Sequence, residues 1–411
     1  MKHIQVPVDF SLELFAAEPN VQHPIALSWD EKGKLYVLIT KDYPNERKPS
    51  GGSDYILVCE DTNGDGVADK QTVFHQGHDV DSAHGICVLP TPSGKGTKII
   101  VSANDNVFFL HDDDGDLKSD RKELLFTGIQ GTQHDHGIHA FHFGPDGKLY
   151  FNFGNSGKLI KDKSGKPIID LAGNEVNDSK SHYQEGMVFR CNMDGSEFET
   201  LGWNFRNNWE IAVDSFGALW QSDNDDDGNQ QTRICFVMPG GNYGYGPRGA
   251  GQTHWHEEQP GIVHKTLRTG QGSPTGITLY EGALLPRKYQ GALLHCDCAP
   301  AEVRWFLPKP KGAGYELDAT RAVADAVNVP VIASGGAGTV DHIADGLTAG
   351  GAQAAIISSM LYSPRLDHNP SVRELKDALI AEFDHEVGVT RRVLERVPEE
   401  QLAWRPHPKS M

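Results

Sequence analysis

No apolar run in the 411-residue chain approaches the ~18 residues a membrane-spanning helix needs, so no membrane span is expected. The stretch Met1–Phe10 holds no apolar h-region, and no signal peptide is expected there. Cysteine is scarce at six residues, too few for a disulfide scaffold of this size. Only Cys296 and Cys298 lie close together, and no second pair is present to complete a structural zinc site. No Cys-x-x-Cys-His occurs, which excludes covalent haem, so the cysteines read as small residues on strands. Positive charge is also short. Lys plus Arg number 38 against 56 Asp plus Glu, a net charge of −18, which argues against nucleic acid or an anionic membrane as a general partner. What is plentiful is glycine, 45 residues, which fits many tight turns between short strands. Hydrophobic residues at 38% suffice for sizeable cores, and the length suggests two or three domains.

Internal repeats set the architecture. Asp61-Thr62-Asn63-Gly64-Asp65 with Asp69 recurs as Asp112-Asp113-Asp114-Gly115-Asp116 with Asp120, and His84-Gly85-Ile86 recurs as His136-Gly137-Ile138. A turn followed by Gly-x-Leu-aromatic appears at Asp30–Tyr36, Pro145–Tyr150 and Asp214–Trp220, flanked by alternating residues that read as hairpins. A period of roughly 50 residues holding about four short strands is the pattern of a propeller blade. Blades are expected to begin near Ile25, His84, His136, Asn208 and Thr275, making a mainly β chain with about five recognisable blades through residue 314. At Tyr315 the pattern changes. Helical periods at Leu317–Val327, Val340–Leu347 and Ser371–Phe383 alternate with uniformly apolar strands at Val329–Ala333 and Ala354–Ser358, as in parallel βα units. One amphipathic helix from Asp384 to Val397 follows, stopped by Pro398.

Asp61, Asn63, Asp65, Gly66 and Asp69 stand at the first, third, fifth, sixth and ninth positions of an EF-hand-type loop, whose alternate oxygens converge on calcium. The twelfth-position Glu is missing. Asp112, Asp114, Asp116 and Asp120 repeat the spacing, with Glu123 at the twelfth position but Leu117 where Gly is wanted. Asp223, Asp225, Asp227 and Gly228 form a third, shorter match. All three also read as metal-free, Asx-rich hairpin turns. The run Gln133-His134-Asp135-His136-Gly137-Ile138-His139 gathers histidines beside a carboxylate, open to metal, acid–base or plain surface roles.

His136 followed by Gly144-Pro145-Asp146-Gly147-Lys148-Leu149-Tyr150 resembles the catalytic-histidine strand of soluble, pyrroloquinoline-quinone (PQQ)-dependent sugar dehydrogenases. Leu201-Gly202, Arg206-Asn207, Gln221-Ser222 and Gly240-Gly241-Asn242-Tyr243-Gly244 resemble the later blade of that family that supplies cofactor-binding Arg and Asn. As a whole, residues 5–314 resemble the propeller of membrane-bound-dehydrogenase-like proteins of planctomycetes. The resemblance implies that His136 takes a hydroxyl proton while hydride moves to the quinone. It implies that Arg206 and Asn207 contact the quinone, and that backbone around Asn224 and Asp225 holds a cofactor calcium. It also implies a sugar or polyol substrate, a separate electron acceptor, and a periplasmic or extracellular setting, a cytoplasmic one being the alternative for a chain without a leader. Two departures stand out. Where the family places an acidic partner for the histidine this chain has Asn155, and the family's sixth blade would begin where the pattern here stops.

Arg321–Val327, Val329–Gly338 and Ser371–Leu379 resemble the C-terminal quarter of the cyclase subunit of imidazole glycerol phosphate synthase, a TIM barrel. That resemblance implies phosphate binding at Gly335, Gly336 and Ser359 through backbone N–H groups, without the catalytic aspartates of earlier strands. Residues 383–411 resemble the first helix of DinB-like bundles. Three partial resemblances imply a composite chain: a propeller at 1–314, a partial βα-barrel segment at 315–382 and a helix fragment at 383–411. The expected function is PQQ- and calcium-dependent oxidation of a sugar or polyol. The alternatives are a non-catalytic, calcium-stabilised propeller that binds carbohydrate or protein, and a phosphate-binding barrel remnant without cyclase activity.

Overall fold

The structure, a computed structural model, describes residues 4–41, 52–89, 91, 94–130, 136–179, 182–224, 231–246, 255–256, 259–270, 272–308, 317–327, 330–334 and 340–356. The chain divides into two compact units, Met1–Pro308 and Lys309–Met411.

The first unit is a five-bladed β-propeller. Its first blade is β1 (Pro24–Trp29), β2 (Leu35–Ile39), β3 (Tyr55–Glu60) and β4 (Lys70–Gln76), in that order from the centre outward. The second is β5 (Gly85–Leu89), β6 (Thr97–Ala103), β7 (Asn106–Asp112) and β8 (Arg121–Thr127). The third begins with β9 (Ile138–Phe143) and β10 (Leu149–Phe153); the short β11 (Lys161–Asp162) turns back to pair with β8 of the second blade. β12 (Gly186–Cys191) and β13 (Glu199–Phe205) complete the third blade. The fourth is β14 (Asn208–Val213), β15 (Leu219–Asp223) and β16 (Thr232–Val237); then β17 (Gly241–Asn242) joins β13 in parallel before β18 (Leu267–Gly270) closes that blade. The fifth blade has three described strands, β19 (Pro274–Tyr280), β20 (Ala292–Asp297) and β21 (Glu302–Phe306). The five inner strands therefore start within two residues of the positions at which the repeat predicted them.

The repeated Gly-x-Leu-aromatic turn has a local cause. Asp30 Oδ1 accepts the N–H groups of Lys32 and Lys34, and Asp214 Oδ1 those of Phe216 and Ala218, closing the turn between the first two strands of their blades. Gly33, Gly147 and Gly217 each occupy the left-handed region there, with φ of 80°, 73° and 84°. The alternating strands that follow bury one face toward each neighbouring blade, so the cores lie between blades. Tyr36, Ile56, Val58 and Phe74 pack with Ile86, Ile99 and Phe108 between the first and second. Phe109, Phe126, Phe151, Phe153, Phe189 and Phe198 pack between the second and third. Ala212 and Ile234 meet Ile277 and Leu293 between the fourth and fifth. The other face of the first blade (Leu35, Val37, Ile39, Leu57, Cys59) is packed by Phe15 and Val21 of the N-terminal segment. That segment also reaches the fifth blade: Phe10 meets the Tyr289 ring edge-on at 5.4 Å, and Lys288 Nζ lies 2.5 Å from Asp9 Oδ2.

The second unit is mixed α/β. α1 (Leu317–Ala326) precedes β22 (Ile332–Ser334), α2 (Val340–Leu347) and β23 (Ala354–Ile356), and the two strands pair in parallel, Ile332 opposite Ala354. This is the parallel βα arrangement that the switch to uniformly apolar strands predicted. Arg321 anchors α1 by donating to the carbonyls of Thr348 and Ala349 just beyond α2. The helices expected at 371–383 and 384–397 lie outside the described residues.

Candidate functional site

In a blade, the residue before the first strand lies beside the end of the antiparallel second strand. Gly154 N–H donates to Gly137 O, Asn224 N–H to Asn207 O and Cys298 N–H to Ser273 O, the same contact in three successive blades. This geometry gathers residues far apart in sequence. His136 precedes β9, Asn155 follows β10, and Arg206 and Asn207 precede β14. His136 Nδ1 bonds Asn155 Oδ1, while Asn155 N–H donates to Arg206 O at 2.6 Å. Only glycine fits at 154. A Cβ there would stand 2.6 Å from Asn207 Oδ1 and 2.9 Å from His136 O. His136, Arg206, Asn207 and Asn224 are thus brought together at one end of the third and fourth blades.

What holds Arg206 and Asn207 in place is Asp223, at the end of β15. Its Oδ1 accepts both their backbone N–H groups, at 3.1 and 2.9 Å. Its Oδ2 takes Arg233 Nε at 2.9 Å and Nη2 at 2.8 Å, and both side chains are fully buried. Arg233, directly opposite on β16, also donates Nη1 to Tyr243 O and sits 4.8 Å from the Trp255 ring. Burial pushes the Asp223 carboxyl up, and the Arg233 guanidinium with the two backbone N–H groups pulls it back. Asp223 therefore serves this pair rather than the third calcium-like loop suggested by its spacing; Asp225 and Asp227 of that loop lie outside the described residues. The fifth blade repeats the device, with Asp297 accepting from Ser273 N–H and facing Arg304 at 3.6 Å. An arginine inside the buried run Thr232-Arg233-Ile234-Cys235 was the signal that a buried carboxylate had to exist.

Farther along the inner strands, His139 stacks on Trp209 with ring centroids 4.1 Å apart, and His84 meets both rings edge-on. His139 Nδ1 also bonds Asn208 O. In the fifth blade His295 is wholly buried, neither ring nitrogen has a hydrogen-bond partner among the described residues, and burial, helped by Arg304, lowers its pKa to about 4. Between pH 6.5, its ordinary value, and pH 4 the unfolded chain binds more protons at this residue than the folded one, so stability falls as pH drops through that window. The loss reaches about 3 kcal/mol below pH 4. Urea midpoints measured from pH 7 to 4 check this, and His295→Phe should flatten the profile; an unchanged slope would count against a neutral buried His295.

The two acidic loops lie elsewhere, in the outer hairpins β3–β4 and β7–β8. Asp61 accepts N–H groups from Gly64 and Gly66, and Asp112 those of Gly115 and Leu117, at matching positions. The Gly66 N–H, foremost among several backbone donors, holds the Asp61 carboxyl below its ordinary value. Leu117 adopts φ 66° where Gly66 has 87°, so the second loop keeps the turn without glycine. Carboxylate oxygens of Asp112, Asp114 and Asp116 lie within 4.8 Å of one another. Asp69 and Asp120 instead close the loops by accepting Thr62 N–H and Asp113 N–H. Glu123 does not join the acidic group: it faces His111, 3.2 Å away, and Arg121. Asn63 donates to Asp65. Gly335, Gly336 and Ser359 lie outside the described residues.

Comparison with known proteins bears on both units. Two solved propellers overlap the chain. The PQQ-bound aldose sugar dehydrogenase of Streptomyces coelicolor is 17% identical with a TM-score of 0.47, covering 71% of this chain and 83% of that one. The apo-form soluble aldose sugar dehydrogenase of Escherichia coli is 14% identical with a TM-score of 0.46, covering 70% and 83%. In the second unit, a histidine biosynthesis protein family model matches residues 311–367. The HisF subunit of imidazole glycerol phosphate synthase from Trichormus variabilis is 51% identical over 67 residues, 16% of this chain and 24% of that protein. The HisF subunit from a Synechococcus species is 52% identical over 73 residues. The chain spans about a quarter of the length of these curated relatives. A family model described as a domain of unknown function, DUF7133, matches residues 1–328, and this chain belongs to that family.

Proposed function

We propose that the propeller is a PQQ- and calcium-dependent oxidoreductase acting on a hydroxyl of a sugar or polyol, passing electrons to a separate acceptor. The observation that carries this is the convergence of His136, Arg206, Asn207 and Asn224 at one end of the blades. The fit to the cofactor rests on orphaned oxygens: Asn207 Oδ1 and Asn224 Oδ1 are buried without a hydrogen-bond partner among the described residues. Such acceptors call for a donor or a hard cation. Arg206 and Asn207 would hold the quinone, and Asn224, with Asp225 beyond the described residues, the calcium. When bound, the quinone supplies the two-electron acceptor that no side chain offers. The chain's own part is proton transfer. With Nδ1–H donated to Asn155 Oδ1, His136 presents Nε2 as the atom that accepts the substrate hydroxyl proton.

Adding PQQ and calcium to the purified protein and then aldoses or polyols tests the reading. A sugar-dependent change in quinone absorption, lost in Arg206→Ala, supports it. Binding of sugar without that change would favour a second reading, a calcium-stabilised propeller that binds without turnover. Asn155, which cannot ionise, is the observation on that side. The parallel β22–α2–β23 unit is proposed as a phosphate-binding remnant without cyclase activity, since barrel active sites draw residues from several strands.

Calcium in the outer loops is part of the proposal, because three carboxylates so close together repel one another until an ion neutralises them. Calcium at a hundredfold its Kd should stabilise the propeller by about 2.7 kcal/mol per occupied loop over chelator. Thermal midpoints in the two conditions measure it, with Asp65→Ala and Asp116→Ala each removing part of the shift. Equal midpoints would leave plain Asx turns.

A further inference from the structure

The central channel holds a second feature that the redox reading does not use. A cavity of about 750 Å³, in the range of small-molecule sites, starts at His139 and Trp209 and runs to Phe143 on β9 and Trp29 on β1. Inner strands of all five blades contribute to its walls, which are mostly apolar. At its wall one side-chain hydrogen bond joins the third and fourth blades: His142 Nε2 lies 2.7 Å from Glu210 Oε1. Among the described residues Glu210 is the only carboxylate in the lining, and none of them there is a lysine or arginine. Its side chain is 24% exposed, and Oε2 has no hydrogen-bond partner among the described residues.

We infer that this cavity is a separate ligand site for a small molecule with an apolar, aromatic-sized body and a single ammonium group. A carboxylate in apolar surroundings, with one oxygen uncommitted, is relieved by a cation that brings its own hydrogen-bond donors. Trp29, half exposed, lines the same cavity and adds an aromatic surface that favours a cation over a neutral head of the same size. An anionic ligand meets Glu210 and a net charge of −18, and a bare sugar lacks the apolar body that the walls would cover. The site is distinct from the His136 end: His142 is six residues farther along the chain, at the opposite end of β9, and the His139–Trp209 stack stands between.

Three probes with one body and different heads test the inference: phenethylamine, phenethyl alcohol and phenylacetate, titrated at pH 7 against intrinsic tryptophan fluorescence. Phenethylamine should give a saturable change, phenethyl alcohol should bind about tenfold more weakly or worse, and phenylacetate weaker still. Glu210→Gln should weaken phenethylamine about tenfold with little effect on the alcohol, whereas His136→Ala should leave both unchanged, which separates this site from the redox reading. Equal binding of amine and alcohol, insensitivity to Glu210→Gln, or no saturable signal overturns it. Should Glu210→Gln fail to fold, the head-group series on the unaltered protein decides alone.

Discussion

Asp223→Ala should lower the stability of the propeller by about 3–5 kcal/mol, because it leaves the Arg233 guanidinium buried without its counter-charge. Both side chains are fully buried, so the two bonds from Arg233 to Oδ2 lie away from bulk water. The loss does not stop at the pair. The backbone N–H groups of Arg206 and Asn207 lose their acceptor at the same time, so the loop that carries the candidate cofactor contacts loosens. The double variant Asp223→Ala, Arg233→Met should recover part of the stability by removing the stranded charge, but not all of it, since those N–H groups stay unsatisfied. Urea unfolding of the single and double variants measures both steps. A single-variant loss under about 1 kcal/mol would mean that the charge is solvated by rearrangement and that the pair is not the anchor described.

His136→Ala should cut sugar-dependent quinone reduction by roughly 10²- to 10⁴-fold, the span expected for a general base. The more informative change is at its partner. Asn155 Oδ1 orients the imidazole and fixes the tautomer, but as a neutral acceptor it stabilises little of the positive charge that His136 gains with a proton. Asn155→Asp should therefore raise the rate about tenfold near neutral pH, with the apparent His136 pKa moving upward in the pH–rate profile. The Asn155 backbone bond to Arg206 O survives the substitution, so positioning is kept while charge is altered. If His136→Ala retains full activity, another group accepts the proton. If Asn155→Asp changes neither rate nor profile, Asn155 positions His136 without tuning its basicity.

Much of the architecture was legible because propeller blades are built from local signals. An Asp that caps its own turn, a glycine one to three residues on, and a leucine–aromatic strand recur in the first hairpins of the first, third and fourth blades, and together with the His-Gly-Ile and acidic-loop repeats they let period and blade starts be counted. The helix–strand alternation after Tyr315 is equally local, and Val340–Leu347 forms the helix its pattern predicts. Loop geometry was only half legible. The Asp61 and Asp112 loops share a turn that their spacing announces, yet Glu123, at the correct interval, lies on β8 and bonds His111 of the neighbouring strand instead.

The chain's own pattern determined which residues lie on inner strands and which stand at strand ends, because alternation and turn chemistry act over a few residues. Only the tertiary structure decided their partners. Asp223 reads along the chain as one of a row of loop acids, and becomes the buried anchor of Arg206 and Asn207 once β16 lays Arg233 across from it. His142 and Glu210 are 68 residues apart and meet only because neighbouring inner strands converge on the channel. Contacts between blades depend on the angle at which whole sheets pack, and that angle is set by the summed shape of the apolar faces between them, which no short stretch of sequence carries.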